Sequence, residues 1–199
     1  MHPTADRRPG DGRMVSIVEA ALGVIERDGA HGLRMATVAK EAGVSKALVH
    51  YYFSTRQELL RASFDWAERR WQDAVAERVS RFATGADQVE AALLASIGPE
   101  APFGSQRALW NDVWSGLQLD DELRPLVEAS YRAWVERLGK LITGGLKDGS
   151  IPGSVKADPA AWRLAALGDG LDSMLYLGLI TPKRARSLAR VAVARELAA

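Results

Sequence analysis

Few residues in this chain could carry covalent chemistry. Its 199 residues hold three histidines, His2, His31 and His50, and no cysteine. Without thiols there is no disulfide, no thiolate metal site and no cysteine nucleophile. A hydrolytic or acyl-transfer site needs a nucleophile with an aligned base, usually histidine. Only His31 and His50 lie in the part expected to fold, and His50 belongs to a surface with a different use. Carboxylates pair at Asp120-Asp121 and at Asp169 with Asp172, but the first pair falls where a helix needs a cap. No glycine-rich phosphate loop and no metal-spaced cluster of His, Asp and Glu occurs. The pattern argues against an enzyme and calls for no cofactor and no metal.

What remains is recognition by contact, concentrated in VAKEAGVSKALVHYYFSTRQELL, residues 38–60. Ala39 stands four residues before Gly43 and Val49 six after it. Two helices packed at a steep angle need a small residue at the crossing and a turn residue that tolerates positive φ. Val38, Ala42, Val44, Val49 and Tyr52 fall where the gap between such helices must be plugged. Burying them leaves Ser45, Lys46, Ala47, His50 and Tyr51 on the outer face of the second helix. Small and polar side chains with one cation, close to a helix N-terminus, suit the major groove of DNA. A helical adaptor that binds only protein would leave Lys46 and Tyr51 unexplained.

The same stretch closely resembles the DNA-binding domain of the tetracycline-repressor (TetR) family of transcriptional regulators. The matching residues are Ala42-Gly43-Val44-Ser45, then Tyr52-Phe53, Arg56 and Glu58-Leu59-Leu60. The resemblance implies an all-α fold of about nine helices, an N-terminal helix-turn-helix domain and a C-terminal domain for ligand binding and dimerisation. It also implies double-stranded operator DNA and a small-molecule inducer as partners, with a homodimer as reader. Lys46 is then the candidate to read a base, at guanine N7 and O6, or to meet a neighbouring phosphate. Ala47 permits close approach and could meet a thymine methyl. Ser45, Thr37, Tyr51 and Arg56 are placed for phosphates, which position a protein without reading sequence. His50 could do either, or merely pack. Two positions depart from the family: Arg34 stands where Thr is usual, exchanging a hydroxyl contact for a charged one, and His50 where Tyr is usual.

The elements that position these residues can be read along the chain. Residues 1–12 are polar with Pro and Gly and are expected to form a flexible arm; Arg7 and Arg8 there read most simply as a solvated tail. The helix-turn-helix domain is expected over 13–60 and the ligand-binding and dimerisation domain over 61–199. Val18, Leu22 and Ile25 mark a first helix ending at Gly29, and Ser54 or Thr55 caps a long helix that keeps an apolar stripe to Phe82. A short helix follows to Ile97, then a Trp-bearing helix over 105–117, a long helix to Lys147, an apolar segment from Pro159 to Ile180 and a last helix from Lys183 to Leu197. No strand alternation appears. The net charge is +1, so DNA affinity must come from placed cations rather than a global field. No apolar run reaches the length of a membrane span, and the start lacks a signal peptide's apolar segment. With no cysteine, a cytoplasmic protein is expected.

Two further groups are singled out. The segment 159–180 is apolar nearly all round, so it must be covered on more than one side, and it is followed by an amphipathic helix. Such a pair is either core or a dimer surface; the resemblance implies the surface, with Trp162, Leu171, Leu175, Leu188 and Val191 as its candidates. Trp110 with Trp114, and Tyr131 with Trp134, sit at same-face spacing, and Asp169, Asp172 and Tyr176 make a polar stripe. These seven are the candidate ligand-binding residues. The stripe should face a cavity, a polar seam between two copies, or water. Aromatic walls with carboxylates suit an organic cation, although such pairs at helical spacing are also what a core uses. WRLAALGDGLDSMLYLGL is most similar to the subgroup of choline-responsive BetI-type repressors.

Overall fold

The computed structural model describes residues 9–97 and 124–198, with side chains from Gly12 to Ile97 and from Arg124 to Ala198. Among these residues the secondary structure is eight α-helices and no strand: α1 (Pro9–Gly32), α2 (Met35–Glu41), α3 (Lys46–Tyr52), α4 (Arg56–Val79), α5 (Gly85–Ala95), α6 (Arg124–Asp148), α7 (Ala157–Tyr176) and α8 (Pro182–Glu196). The helix expected over 105–117 lies outside the described residues. The described helices form two compact units, the first ending at Arg69 and the second beginning at Arg70. That division lies inside α4, beyond the boundary expected at Leu60.

In the first unit α1 starts at Pro9, within the stretch expected to be an arm. Proline at a helix start gives up an N–H that has no intrahelical partner and brings a φ already set for the helix. The run breaks at Gly29, whose φ of 73° and ψ of 169° are non-helical. Ile17, Val18, Ala21, Val24 and Ile25 are buried along one side of α1, while Leu22 is only half-buried. They pack in a core with Leu33, Val38, Val49, Phe53, Leu59 and Phe64, all at most 4% exposed. Ser63 is fully buried too, and its hydroxyl donates to the Leu59 carbonyl at 2.8 Å.

The second unit is centred on α5, α6 and α7. Val89, Leu93, Trp134, Leu138, Ile142, Ala161 and Leu164 are all buried in one core, joined by Ala185, Ala189 and Val193 of α8. At the α5 N-terminus Thr84 accepts from the Asp87 N–H at 3.2 Å. The Asp148 carboxylate, at the far end of α6, accepts from the N–H of Gly85 and of Ser150, both at 2.8 Å. Hydrogen bonds from the Ser150 side chain, then from the Gly85 and Ser150 amides, hold the Asp148 carboxyl below the ordinary carboxylate range. A carboxylate at a helix start also satisfies the positive end of the helix dipole. The α7 helix ends in a turn where Leu179 N–H donates to Met174 C=O at 2.9 Å and Gly178 takes φ 69°. That 6→1 bond with a left-handed glycine is the Schellman arrangement. Thr181 then caps α8, and Pro182 begins it.

Candidate nucleic-acid interface and ligand-side residues

The α2–turn–α3 segment forms as its spacing requires. Gly43 has φ 66°, and the chain reverses through N–H bonds from Ala42 to Val38 C=O and from Val44 to Ala39 C=O, at 2.8 and 3.0 Å. Ala39 and Val49 are buried where the helices cross, Val38 with them; Ala42, Val44 and Tyr52 are half-buried. Ser45 is the N-cap of α3, its Oγ accepting from the Leu48 N–H at 3.1 Å. A bidentate ion pair ties α1 to α2, Arg27 meeting Glu41 at 2.9 and 3.2 Å, and draws the Glu41 carboxyl below its usual value.

On this frame Ser45, Lys46, Ala47, His50 and Tyr51 are all exposed, on one short helix with its N-terminus leading. Tyr51 is 79% exposed and braced edge-on by Tyr52, the ring centroids 5.2 Å apart. Arg34 is exposed at the N-cap of α2 with no side-chain capping bond, and Thr37 is half-buried. Lys40, a further exposed cation on α2, was not singled out by the sequence. Arg56 differs from its expected phosphate-facing placement. It is half-buried, and its guanidinium turns into the unit: Nε donates to the Leu33 carbonyl at 3.0 Å and Nη2 to the Ala30 carbonyl. The next helix is capped beside it by Thr55, which accepts from the Glu58 N–H at 3.1 Å, while Glu58 accepts from the Ser54 N–H at 2.7 Å. This arrangement is close to a capping box.

The residues singled out on the ligand side separate. Trp110 and Trp114 lie outside the described residues. Trp134 is 6% exposed, its ring edge-on to Trp71 with centroids 4.9 Å apart, which makes it core. Its expected companion Tyr131 is half-buried and donates from its hydroxyl to Asp169 at 3.0 Å. Solvent reaches Asp169, but protein crowds its carboxyl enough that burial raises its pKa; the Tyr131 bond opposes this and the Asp172 charge adds to it. Tyr176 is 58% exposed. The polar stripe of α7 therefore opens outward from the single chain. Beside it, α6 and α7 enclose a groove of about 540 Å³ lined by Arg132, Glu136, Lys140, Asp158 and Trp162 among others. Polar burial that the sequence reading passed over sits on α4: the Glu68 carboxylate at 8% exposure, and the Trp66 indole N–H, buried without a hydrogen-bond partner.

The candidate dimer residues also divide. Trp162 and Val191 are each 49% exposed. Leu175 and Leu188 are half-buried against the core. Leu171, at 4% exposure, is a core residue, because α7 turns it toward the body of its own unit. The outward surface of α7 and its following turn is carried instead by Met174, Tyr176, Leu177 and Leu179, which are 44 to 70% exposed.

Residues 17–63 match the family described as bacterial regulatory proteins, tetR family. Residues 85–198 match that described as BetI-type transcriptional repressor, C-terminal. The chain belongs to the TetR family of transcriptional regulators. Among curated TetR-family relatives, the HTH-type transcriptional regulator BetI of Rhizobium meliloti is 30% identical over 159 residues, covering 80% of this chain and 75% of that protein. The BetI of Brucella anthropi is 25% identical over 179 residues, covering 90% and 89%. A solved TetR-family regulator from Rhodococcus sp. superposes with a TM-score of 0.83 at 26% identity, covering 94% of this chain and all of that one. A transcriptional regulator from Saccharomonospora viridis, solved in complex with choline, superposes with a TM-score of 0.79 at 24% identity, covering 93% and 96%. Among the described residues no helix is long and apolar enough to cross a membrane.

Proposed function

We propose that this TetR-family chain is a repressor that reads a two-fold symmetric operator as a homodimer and leaves it when a small organic molecule binds its C-terminal part. The observation that carries the proposal is the outer face of α3, where Lys46 stands exposed between Ser45 and Ala47. Lys46 reads a base edge, Ala47 lets the helix approach, and Ser45, Thr37, Tyr51 and Arg34 meet phosphates. His50 adds a base or phosphate contact from the next turn. Lys46→Ala is expected to weaken operator binding by ~1–3 kcal/mol and to relax preference at one base pair in each half-site. Fluorescence anisotropy against the DNA upstream of the chain's own gene, with single-base variants, measures both. A variant that keeps wild-type affinity and base preference would refute the assignment.

Two copies meet through α7 and α8. Val191 has exposed Ser187 and Ala194 at helical spacing on either side, and small residues allow helices of two copies to approach. A two-fold dimer presents two recognition helices to two half-sites. The outward stripe of Asp169, Asp172 and Tyr176 fits a polar seam at that junction better than a pocket wall.

The inducer is a small organic cation. The similarity of residues 85–198 to BetI-type repressors and the choline held by the Saccharomonospora viridis regulator of the same fold support this class. Titration with choline-like amines is expected to change the intrinsic tryptophan fluorescence and release operator over the same concentration range. A response confined to anions or neutral lipophiles would eliminate the cation while leaving the repressor reading intact.

A further inference from the structure

We propose that Arg56 is a positioning residue for DNA recognition: its guanidinium bolts the first turn of α4 to the joint between α1 and α2, and so fixes where α3 is presented. This rests on the DNA-binding reading of α3 and adds a mechanical part that touches no DNA. Apart from the exposed Arg27–Glu41 ion pair, which as a surface pair holds little, the joint is weakly made. Gly29 breaks α1 with a positive φ, Leu33 N–H reaches back to the Ala30 carbonyl at 3.2 Å, and Arg34 runs extended into α2. Helix α2 begins without a side-chain cap and is seven residues long, too short to hold its place by its own hydrogen bonds. Arg56 supplies a second, half-buried constraint. Its Nε takes the Leu33 carbonyl at 3.0 Å and its Nη2 the Ala30 carbonyl, so one planar group spans the joint on its half-buried side. Helix-end carbonyls carry partial negative charge that a cation satisfies, and charge-assisted bonds are the stronger kind.

A rigid fork can hold two carbonyls in fixed relation; a lysine ammonium is a compact point charge on a flexible stem. Any tilt of α4 at its first turn therefore pulls on the entry to α2, and through the tight turn at Gly43 on α3. A phosphate contact would behave otherwise, because lysine serves phosphate as well.

The test compares Arg56→Lys and Arg56→Gln with the wild-type dimer, well below their unfolding temperatures. Hydrogen exchange is followed at the amides of Leu33 and Val38, which bond the Ala30 and Arg34 carbonyls, and affinity for operator and for a scrambled duplex is measured across a salt series. In both variants exchange at these amides should quicken at least tenfold. The operator-to-scrambled ratio should fall at least tenfold while the salt slope for scrambled DNA stays unchanged. Retained protection and ratio in Arg56→Lys, with Arg56→Gln losing salt slope of about two for a dimer, one phosphate per half-site, would overturn the proposal and restore Arg56 as a phosphate contact. Unchanged exchange in both variants would overturn it outright. Should the wild type itself prefer no operator, the DNA reading fails, and the exchange measurement still decides whether the bolt exists.

Discussion

Replacing Val191 by glutamate is expected to give a folded monomer that no longer holds its operator at concentrations that saturate the wild type. In the single chain this side chain is 49% exposed, so a carboxylate there costs the monomer little. In the proposed dimer, symmetry places two such carboxylates in one apolar seam. Burying an ion costs several kcal/mol even after relaxation, and two like charges repel as well. Loss of the dimer then removes the linkage of two half-sites, an effective-concentration advantage on the order of 10²–10⁴ in affinity. Operator affinity should fall by at least the lower of these factors, while binding to scrambled DNA through a single half stays measurable. Light scattering at micromolar concentration reads the mass, circular dichroism confirms that the helices persist, and Val191→Ala should remain dimeric. Leu171→Glu makes the contrast: a charge at a 4%-exposed core position should unfold the second unit rather than dissociate it. A Val191→Glu protein that stays dimeric would place the interface elsewhere.

The parts legible in the sequence are those fixed by near neighbours. Ala39, Gly43 and Val49 specify the helix crossing over eleven residues, and Ser45 caps the helix that carries the recognition face; both expectations are met in the fold. The position of Arg56 was legible but its direction was not. Its acceptors are carbonyls 23 and 26 residues earlier in the chain, and no spacing pattern reports on so distant a backbone oxygen. The segment around Leu171 and Leu175 defeated periodicity for another reason: on a helix apolar nearly all round, the polar stripe of Asp169, Asp172 and Tyr176 could face a cavity, a seam or water, and so did not tell the inner face from the outer. Tyr131 and Trp134 share a helix face by spacing, yet one reaches Asp169 and the other packs on Trp71, because partners on other elements decide where each ring goes. Glu68 did leave a signal. It follows Phe64 by four residues and precedes Trp71 by three, so an acid interrupts the apolar stripe of α4, and a carboxylate in that position must be buried or must break the stripe.

The contact least visible in the sequence should give a large stability effect from the smallest change, one added methyl group. Gly85 opens α5 against the backbone of α6, and a Cβ built there would lie 2.2 Å from Gly145 N, 2.4 Å from Gly145 Cα and 2.9 Å from the Leu141 carbonyl oxygen. None of these atoms can rotate aside, since all three belong to a helix backbone. Gly85→Ala must therefore push α5 off α6, straining the bonds from Gly85 N–H to Asp148 and from Ala86 N–H to Ser150 and opening the core under Val89 and Leu93. Overpacking costs ~1–3 kcal/mol when side chains can adjust; with backbone against backbone the upper end of that range or more is expected. For a chain of this size that lowers Tm by roughly 6–12 °C. Gly144 is the internal control. It is the residue before Gly145 on the same helix, and a Cβ there meets nothing within 4 Å. Gly144→Ala should raise stability by up to ~1 kcal/mol through helix propensity alone. Thermal unfolding of the two single variants should thus move in opposite directions from wild type. A Gly85→Ala protein that unfolds within about 2 °C of wild type would mean that α5 and α6 do not cross as closely as 2.2 Å requires.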